Sequence, residues 1–260
     1  MNRDRMTVTE VAPLVFSVQT ALANWYLLRE GHEVTLVDGG YPADAPTLLA
    51  SLDCIGAKPG DVRAVLVTHA HTDHIGGLPL LLRQRPDLPV LLHPGEVAHA
   101  RREHLEQVSV ATIVRHAWRP RVAAWAVQAV RRGGTQDPSI DRGTTFGATT
   151  PRLKALDLPG TPVPVPTPGH TSGHTAFLLP EVGAVITGDA LVTGHPTTAH
   201  EGPQLLPAFF HHDVAEAVTA LDALAGLPAD LILPGHGRAW RVAMDAAVAA
   251  ARARRGVPRS

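Results

Sequence analysis

Apolar residues along the chain fall into short runs separated by turns rich in Gly, Pro and Asp. Residues 14–18 and 25–28 read as strands, and 34–37 as a third that ends in Asp38-Gly39-Gly40. Residues 45–55 carry Leu48, Leu49, Leu52 and Ile55 at helical spacing. The β-branched run 62–67 predicts a strand buried on both faces. A helix over 78–83 and a strand over 89–92 follow. Residues 95–132 read as one or two helices rich in Arg, His and Trp, and 133–151 as a loop. Strand signals resume at 153–158, 163–166, 175–179 and 183–187. Residues 213–224 place Val214, Ala217, Val218, Leu221 and Leu224 on one helical face. A strand over 231–233 and an Ala-rich helix over 239–254 close the pattern. The 95–150 stretch interrupts a regular strand–turn–helix alternation and reads as a helical insertion within a single domain over 1–260. Such a segment suits a lid or a homodimer surface. No repeat of solenoid length is visible.

Composition narrows the class. The 260 residues are 45% hydrophobic and 18% charged, an ordinary globular balance. A net charge of -1 argues against a general nucleic-acid binder, which needs a basic face for phosphates. Residues 1–10 are polar, without the apolar core of a signal segment. Residues 11–28 are broken by Pro13, Gln19, Asn24 and Trp25, so no membrane span is predicted and a cytoplasmic protein is the expectation. The lone cysteine, Cys54, cannot form an internal disulfide and reads as a small core residue.

Histidine is the anomaly: fifteen are present, several in short clusters. Four turns matter, each after an apolar strand. They are His69-x-His71-x-Asp73-His74, the run from Pro168 to His174, Gly188-Asp189, and Pro234-Gly235-His236-Gly237. Zinc-class ions take imidazole nitrogens and carboxylate oxygens. In a tight turn His69 and His71 can reach one ion, while Asp73 and His74 point to a neighbouring site. His170, Asp189 and His236 are the candidates from distant sequence.

The four turns resemble those of the metallo-β-lactamase fold superfamily, in its glyoxalase-II-like branch. Thr-His-x-His-x-Asp-His-x-Gly-Gly is matched from Thr68 to Gly77, and the second motif from Thr167 to His174. The resemblance covers about residues 12–240, without 95–150. It implies an α+β fold, a four-layer αββα sandwich, with metals at one sheet edge. It further implies two zinc ions, iron and manganese being compatible with the same ligands. One ion would be held by His69, His71 and His170, the other by Asp73, His74 and His236, with Asp189 bridging. His174 and Thr68 would serve as hydrogen-bond partners of the ligands.

The implied activity is binuclear metal-dependent hydrolysis of a small ester, thioester or lactone by a metal-bound hydroxide. Asp73 would be the catalytic residue, orienting the hydroxide and passing its proton on. The alternatives are a β-lactam-hydrolysing enzyme and a persulfide dioxygenase with non-haem iron. Asp189 stands where many zinc β-lactamases carry Cys or Ser. Val192 stands where acyl-homoserine lactonases usually carry Tyr. Only 24 residues follow His236, so the C-terminal domain of glyoxalase II is not expected. The partner is a small-molecule substrate. Trp118, Trp125, Phe209-Phe210, and one of His195, His200, His211 and His212 are candidates to line its pocket. His93 reads as structural. The cluster Arg115, Arg119, Arg121, Arg131 and Arg132 reads mainly as a solvated helix face.

Overall fold

The computed structural model describes residues 6–146 and 154–255. Strands β1 (Thr7–Ala12), β2 (Val15–Gln19), β3 (Asn24–Glu30), β4 (Glu33–Val37), β5 (Val62–Leu66), β6 (Val90–Leu92) and β7 (Gly143–Thr145) form one sheet in that order. Pairing is antiparallel from β1 to β4 and parallel from β4 to β7. Strands β8 (Val163–Pro166), β9 (Thr175–Leu179), β10 (Ala184–Gly188), β11 (Leu231–Pro234) and β12 (Trp240–Arg241) form a second sheet in sequence order. There only β10 and β11 run parallel.

The period of two along the strands explains the layering. Tyr26, Leu28, Val37 and Leu66 of the first sheet meet Phe177, Leu179, Ile186 and Leu233 of the second in one core. The alternate residues Trp25, Leu27, Leu36 and Val65 face outward under α1 (Ala45–Cys54) and α3 (Leu78–Gln84). Ala176, Leu178, Val185 and Ile232 lie likewise under α7 (Val214–Leu224) and α8 (Met244–Arg255). The central strands of both sheets are therefore buried on both faces, which is why β5, apart from Arg63, and β9–β11 read as nearly continuous apolar runs. The expected αββα sandwich is what the chain forms. Four further helices are α2 (Thr72–Ile75), α4 (Val97–Ala100), α5 (Val110–His116) and α6 (Pro120–Arg131). The first is one turn long and carries Asp73 and His74; the other three belong to the inserted stretch.

Six local expectations change. Residues 95–132, expected to form one or two helices, form three, α4, α5 and α6. Strand β1 has no sequence signal because it is an edge strand with only Ala12 fully buried. Residues 154–158 form no strand; residue 153 of that expectation lies outside the described residues. The loop expected over 133–151 contains β7, and residues 147–151 lie outside the described residues. The helix expected from 239 begins at Met244, after the two-residue strand β12. Cys54 is exposed rather than core: Leu48, Ser51 and Leu52 form the inward face of α1, and position 54 is turned away from it.

Candidate metal centre

The four turns meet at one edge of the sandwich. Parallel pairing of β4 with β5 and of β10 with β11 brings the ends of those strands side by side. Backbone hydrogen bonds then stitch the turns together. Thr175 N–H donates to Thr68 O at 2.9 Å, Gly235 N–H to Gly188 O at 2.8 Å and Asn24 N–H to Gly235 O at 2.9 Å. The Asn24 side chain adds bonds to Pro234 O at 2.9 Å and Gly237 O at 2.6 Å. At Gly235 a Cβ would lie 2.2 Å from Asp189 Oδ1, so no side chain is possible there without displacing Asp189.

All seven residues singled out from the sequence converge. Their donor atoms form three groups, each within 4.8 Å: His69, His71 and His170; His69, His74 and Asp189; and Asp73, His74 and His236. Asp189 lies between the first and third. Its Oδ2 is 3.3 Å from His170 Nε2 and 3.2 Å from His236 Nε2, and its Oδ1 is 3.5 Å from His74 Nε2. Six of the seven are buried, and Asp73 is partly exposed.

The outer hydrogen bonds fix which nitrogen of each ring faces inward. His71 Nε2 must donate to the carbonyl of Glu106 at 3.0 Å, since a carbonyl only accepts. His236 Nδ1 donates to Leu22 O at 2.6 Å, and His74 Nδ1 to Asp38 Oδ2 at 2.8 Å. Thr68 Oγ1 donates to Asp38 Oδ2 at 2.7 Å and so accepts from His69 Nδ1 at 3.1 Å. His211 Nε2 donates to Leu206 O at 3.1 Å, leaving its Nδ1 to accept from His170 Nδ1 at 3.4 Å. Each inner nitrogen of a neutral ring then presents a lone pair. His71 Nδ1 is 3.0 Å from both His69 Nε2 and His170 Nε2. His74 Nε2 and Asp189 Oδ1 are buried without a hydrogen-bond partner. Lone pairs and carboxylates packed this closely repel one another unless a cation lies among them. The donor chemistry therefore fits zinc-class ions.

Electrostatics divides the rings. Burial, reinforced by neighbouring imidazoles, holds His69 and His170 well below the ordinary histidine pKa. Burial, with His99 beside it, takes His71 to about 4. These three are neutral at pH 7, as ligands must be. Burial also opposes charge on His74 and His236, yet carboxylates outweigh it and raise both. Asp189 acts on each, with Asp38 beside His74 and Asp73 beside His236. The Asp189 carboxyl is buried, which would raise it, but His236 and His74 hold it well below the usual range.

His174 is not among the grouped donors. Its Nε2 accepts from Asp189 N–H at 3.0 Å and its Nδ1 bonds Thr167 Oγ1 at 2.8 Å, so it places the Asp189 backbone. His93 Nδ1 accepts from Gly95 N–H, a local cap. His195 and His200, with His236, Gln19, Arg121 and Arg238, line a cavity of about 450 Å³ beside the donors. Trp125 is buried against Phe210 and His195, whereas Trp118 is 75% exposed. Of the arginines, Arg132 pairs with the buried Asp44 at 2.6 Å and Arg121 reaches the cavity rim.

Sequence reading missed Asp38, Tyr41 and Glu96. Asp38 was seen only as a turn residue, although an Asp at φ 62° at a strand end is an uncommon backbone state that often marks a site. Tyr41 is buried, and burial together with the charge of the Asp73 carboxylate raises its hydroxyl pKa. Glu96 lies in the inserted stretch, where no motif pointed to it.

Sandwich and site together define a class, the metal-dependent hydrolases that place their donors at one edge of an αββα fold. The sequence profile of the metallo-beta-lactamase superfamily matches residues 20–236, and the chain belongs to that superfamily. It is 26% identical to a probable metallo-hydrolase, YflN, of Bacillus subtilis, over 88% of this chain and 85% of that one. It is 28% identical to a hydroxyacylglutathione hydrolase of Cupriavidus metallidurans, over 79% of this chain but only 59% of the relative. The solved metallo-beta-lactamase family protein TTHA1429 from Thermus thermophilus shares the fold. Its TM-score is 0.63 at 24% identity, covering 98% of this chain and 80% of that one. No helix among the described residues is long and apolar enough to cross a membrane.

Proposed function

We propose that this chain is a binuclear metal-dependent hydrolase of a small ester, thioester or lactone, with zinc as the expected metal. The observation that carries the reading is the set of five imidazoles whose outer nitrogens are tied as donors while their inner nitrogens gather, with Asp73 and Asp189, into three close groups. His69, His71 and His170 would hold one ion, and Asp73, His74 and His236 the other, with Asp189 shared. Bound there, such ions supply Lewis acidity and a water acidified towards neutral pH.

The chain's own residues do the rest. The Asp73 carboxylate, partly exposed beside His236, can take a proton from the attacking water and hand it to the leaving group. The cavity lined by Gln19, Arg121, His195 and His200 opens on His236 and receives the acyl group. His195 Nδ1 is tied to Thr197 Oγ1 at 2.6 Å and to Thr197 N–H at 3.2 Å, which leaves Nε2 as the ring nitrogen for the substrate. The relative named for hydrolysing a hydroxyacylglutathione, an acyl thioester, supports the substrate class.

Elemental analysis of protein never exposed to chelator should find about two equivalents of zinc-class metal. A panel of chromogenic lactone, thioester, β-lactam and phosphodiester substrates should show turnover on the first two. Absence of metal, or turnover confined to the last two, would refute the reading.

A further inference from the structure

The inserted stretch reaches the site through a buried carboxylate. Glu96 is wholly buried, and its hydrogen bonds run to both histidine-bearing turns. Its Oε2 accepts from Ala70 N–H, between His69 and His71, at 2.7 Å. Its Oε1 accepts from the Thr171 hydroxyl at 2.5 Å and from Gly173 N–H at 3.0 Å, just after His170. The approach is close: a Cβ on Gly173 would lie 2.7 Å from Glu96 N. Two neighbours extend the clamp. Arg102 Nη1 donates to Ala70 O at 3.0 Å. Glu106 accepts His71 Nε2 through its carbonyl and Ser172 N–H, at 2.6 Å, through its carboxylate. None of these bonds touches Asp73, His74 or His236.

We propose that Glu96, with Arg102 and Glu106 behind it, is a positioning residue that sets the spacing between the first two turns. It thereby sets the affinity of the His69–His71–His170 group for its ion and leaves the Asp73–His74–His236 group unaffected. The proposal rests on the two-ion reading above. Bonds to a charged acceptor are roughly twice as strong as neutral ones, and three converge here on one carboxylate. Burial alone would raise the Glu96 carboxyl. Bonds and charge from His99, with those from Thr171 and Ala70, bring it down to about 2, so it is ionised at neutral pH. A neutral amide in its place offers one accepting oxygen and turns two donors toward a turn that also donates. Outer partners of metal ligands are worth 10–100-fold in affinity.

The test is calorimetric titration of the chelator-stripped full chain with Zn(II), alongside Co(II) absorption. Wild type should take up two ions. Glu96→Gln should keep one with unchanged affinity, bind the other about 10–100-fold more weakly and alter one of two Co(II) signatures. Thr171→Val removes a single bond, should give a smaller shift of the same kind, and decides the matter if Glu96→Gln does not fold. Unchanged affinities in a folded variant, or equal weakening of both sites, would overturn the proposal. A wild type that takes up only one ion would refute the two-ion reading instead. The clamp would then stand or fall on whether that ion's affinity follows Glu96.

Discussion

The His69–His71–His170 group and the Asp73–His74–His236 group share Asp189, but different parts of the chain hold them. The second is braced by the sandwich itself. Asp38 at the end of β4 fixes His74, Leu22 just before β3 fixes His236, and Asn24 in β3 ties down the turn that carries it. The first has one tie to the sandwich, His69 through Thr68 to Asp38, and is otherwise braced from outside the sheets, by Glu96, Arg102 and Glu106 of the inserted stretch and by His211 of the loop before α7. The outer partners differ in kind as well. His74 donates to a carboxylate, which makes its inner nitrogen a stronger base, while His71 donates to a neutral carbonyl. The sandwich thus fixes one group, and the other depends in addition on a segment outside the strands.

The largest expected effect comes from breaking either group outright. His71→Ala and Asp73→Ala should each leave a folded chain with hydrolysis down on the order of 1,000-fold, about 4 kcal/mol in the barrier. Steady-state rates on the best panel substrate, with circular dichroism as a check of folding, decide this. Full activity in either variant would remove that residue from its assigned role.

Next comes a pH effect confined to the outside brace. Glu96 has its carboxyl lowered to about 2 from an ordinary 4.5. A carboxyl lowered by folding stabilises the native state above its unfolded pKa and loses that contribution as pH falls through the folded value. The window therefore runs from about 4.5 down to about 2, and the full contribution near pH 7 is on the order of 3 kcal/mol. His99 Nδ1, 3.4 Å from Glu96 Oε2, is the imidazole that faces the carboxylate. Denaturant unfolding of metal-free protein should show wild type exceeding Glu96→Gln at pH 6, with the gap closing towards pH 3. A gap that widens on acidification would reverse the assigned sign.

The mirror-image test is Asn24→Ala. It removes the bonds to Pro234 O and Gly237 O that hold the His236 turn and should weaken ion uptake by the Asp73–His74–His236 group about 10–100-fold. With Glu96→Gln weakening the other group, the two variants should show opposite site preferences in the same titration. Identical profiles would mean that the groups are not separately braced.

The site was legible in the sequence to the extent that its chemistry is local. His69, His71, Asp73 and His74 lie in one turn, and His170, Asp189 and His236 each follow an apolar strand beside Gly, so spacing exposed them. The sheets were legible because strands buried on both faces leave nearly continuous apolar runs. What holds the donors was not. Glu96 acts on Ala70 and Thr171, 26 and 75 positions away, and a backbone carbonyl such as Leu22 O carries no residue-type signal at all. Strand β1 escaped because an exposed edge needs no apolar alternation. Cys54 was misplaced because its apolar neighbours were read without the rotation of the helix.

The smallest effect separates the inner and outer faces of the inserted stretch. On α6, Trp125 is buried against Phe210 and His195, in a cluster with Tyr41 and Val192. Trp118, just before that helix, stands 75% exposed with Arg119 stacked 5.1 Å from its ring. An exposed cation–π pair contributes about 0.5–1 kcal/mol at most, and the ring buries little else. Trp118→Ala should therefore shift unfolding free energy by less than about 1 kcal/mol and leave both ion affinities unchanged. If the brace on the His69–His71–His170 group lies in residues 96–107, the outer face of the insertion is dispensable to it. A Trp118→Ala chain that lost one ion would move the brace outward, onto a surface that makes no contact with either turn.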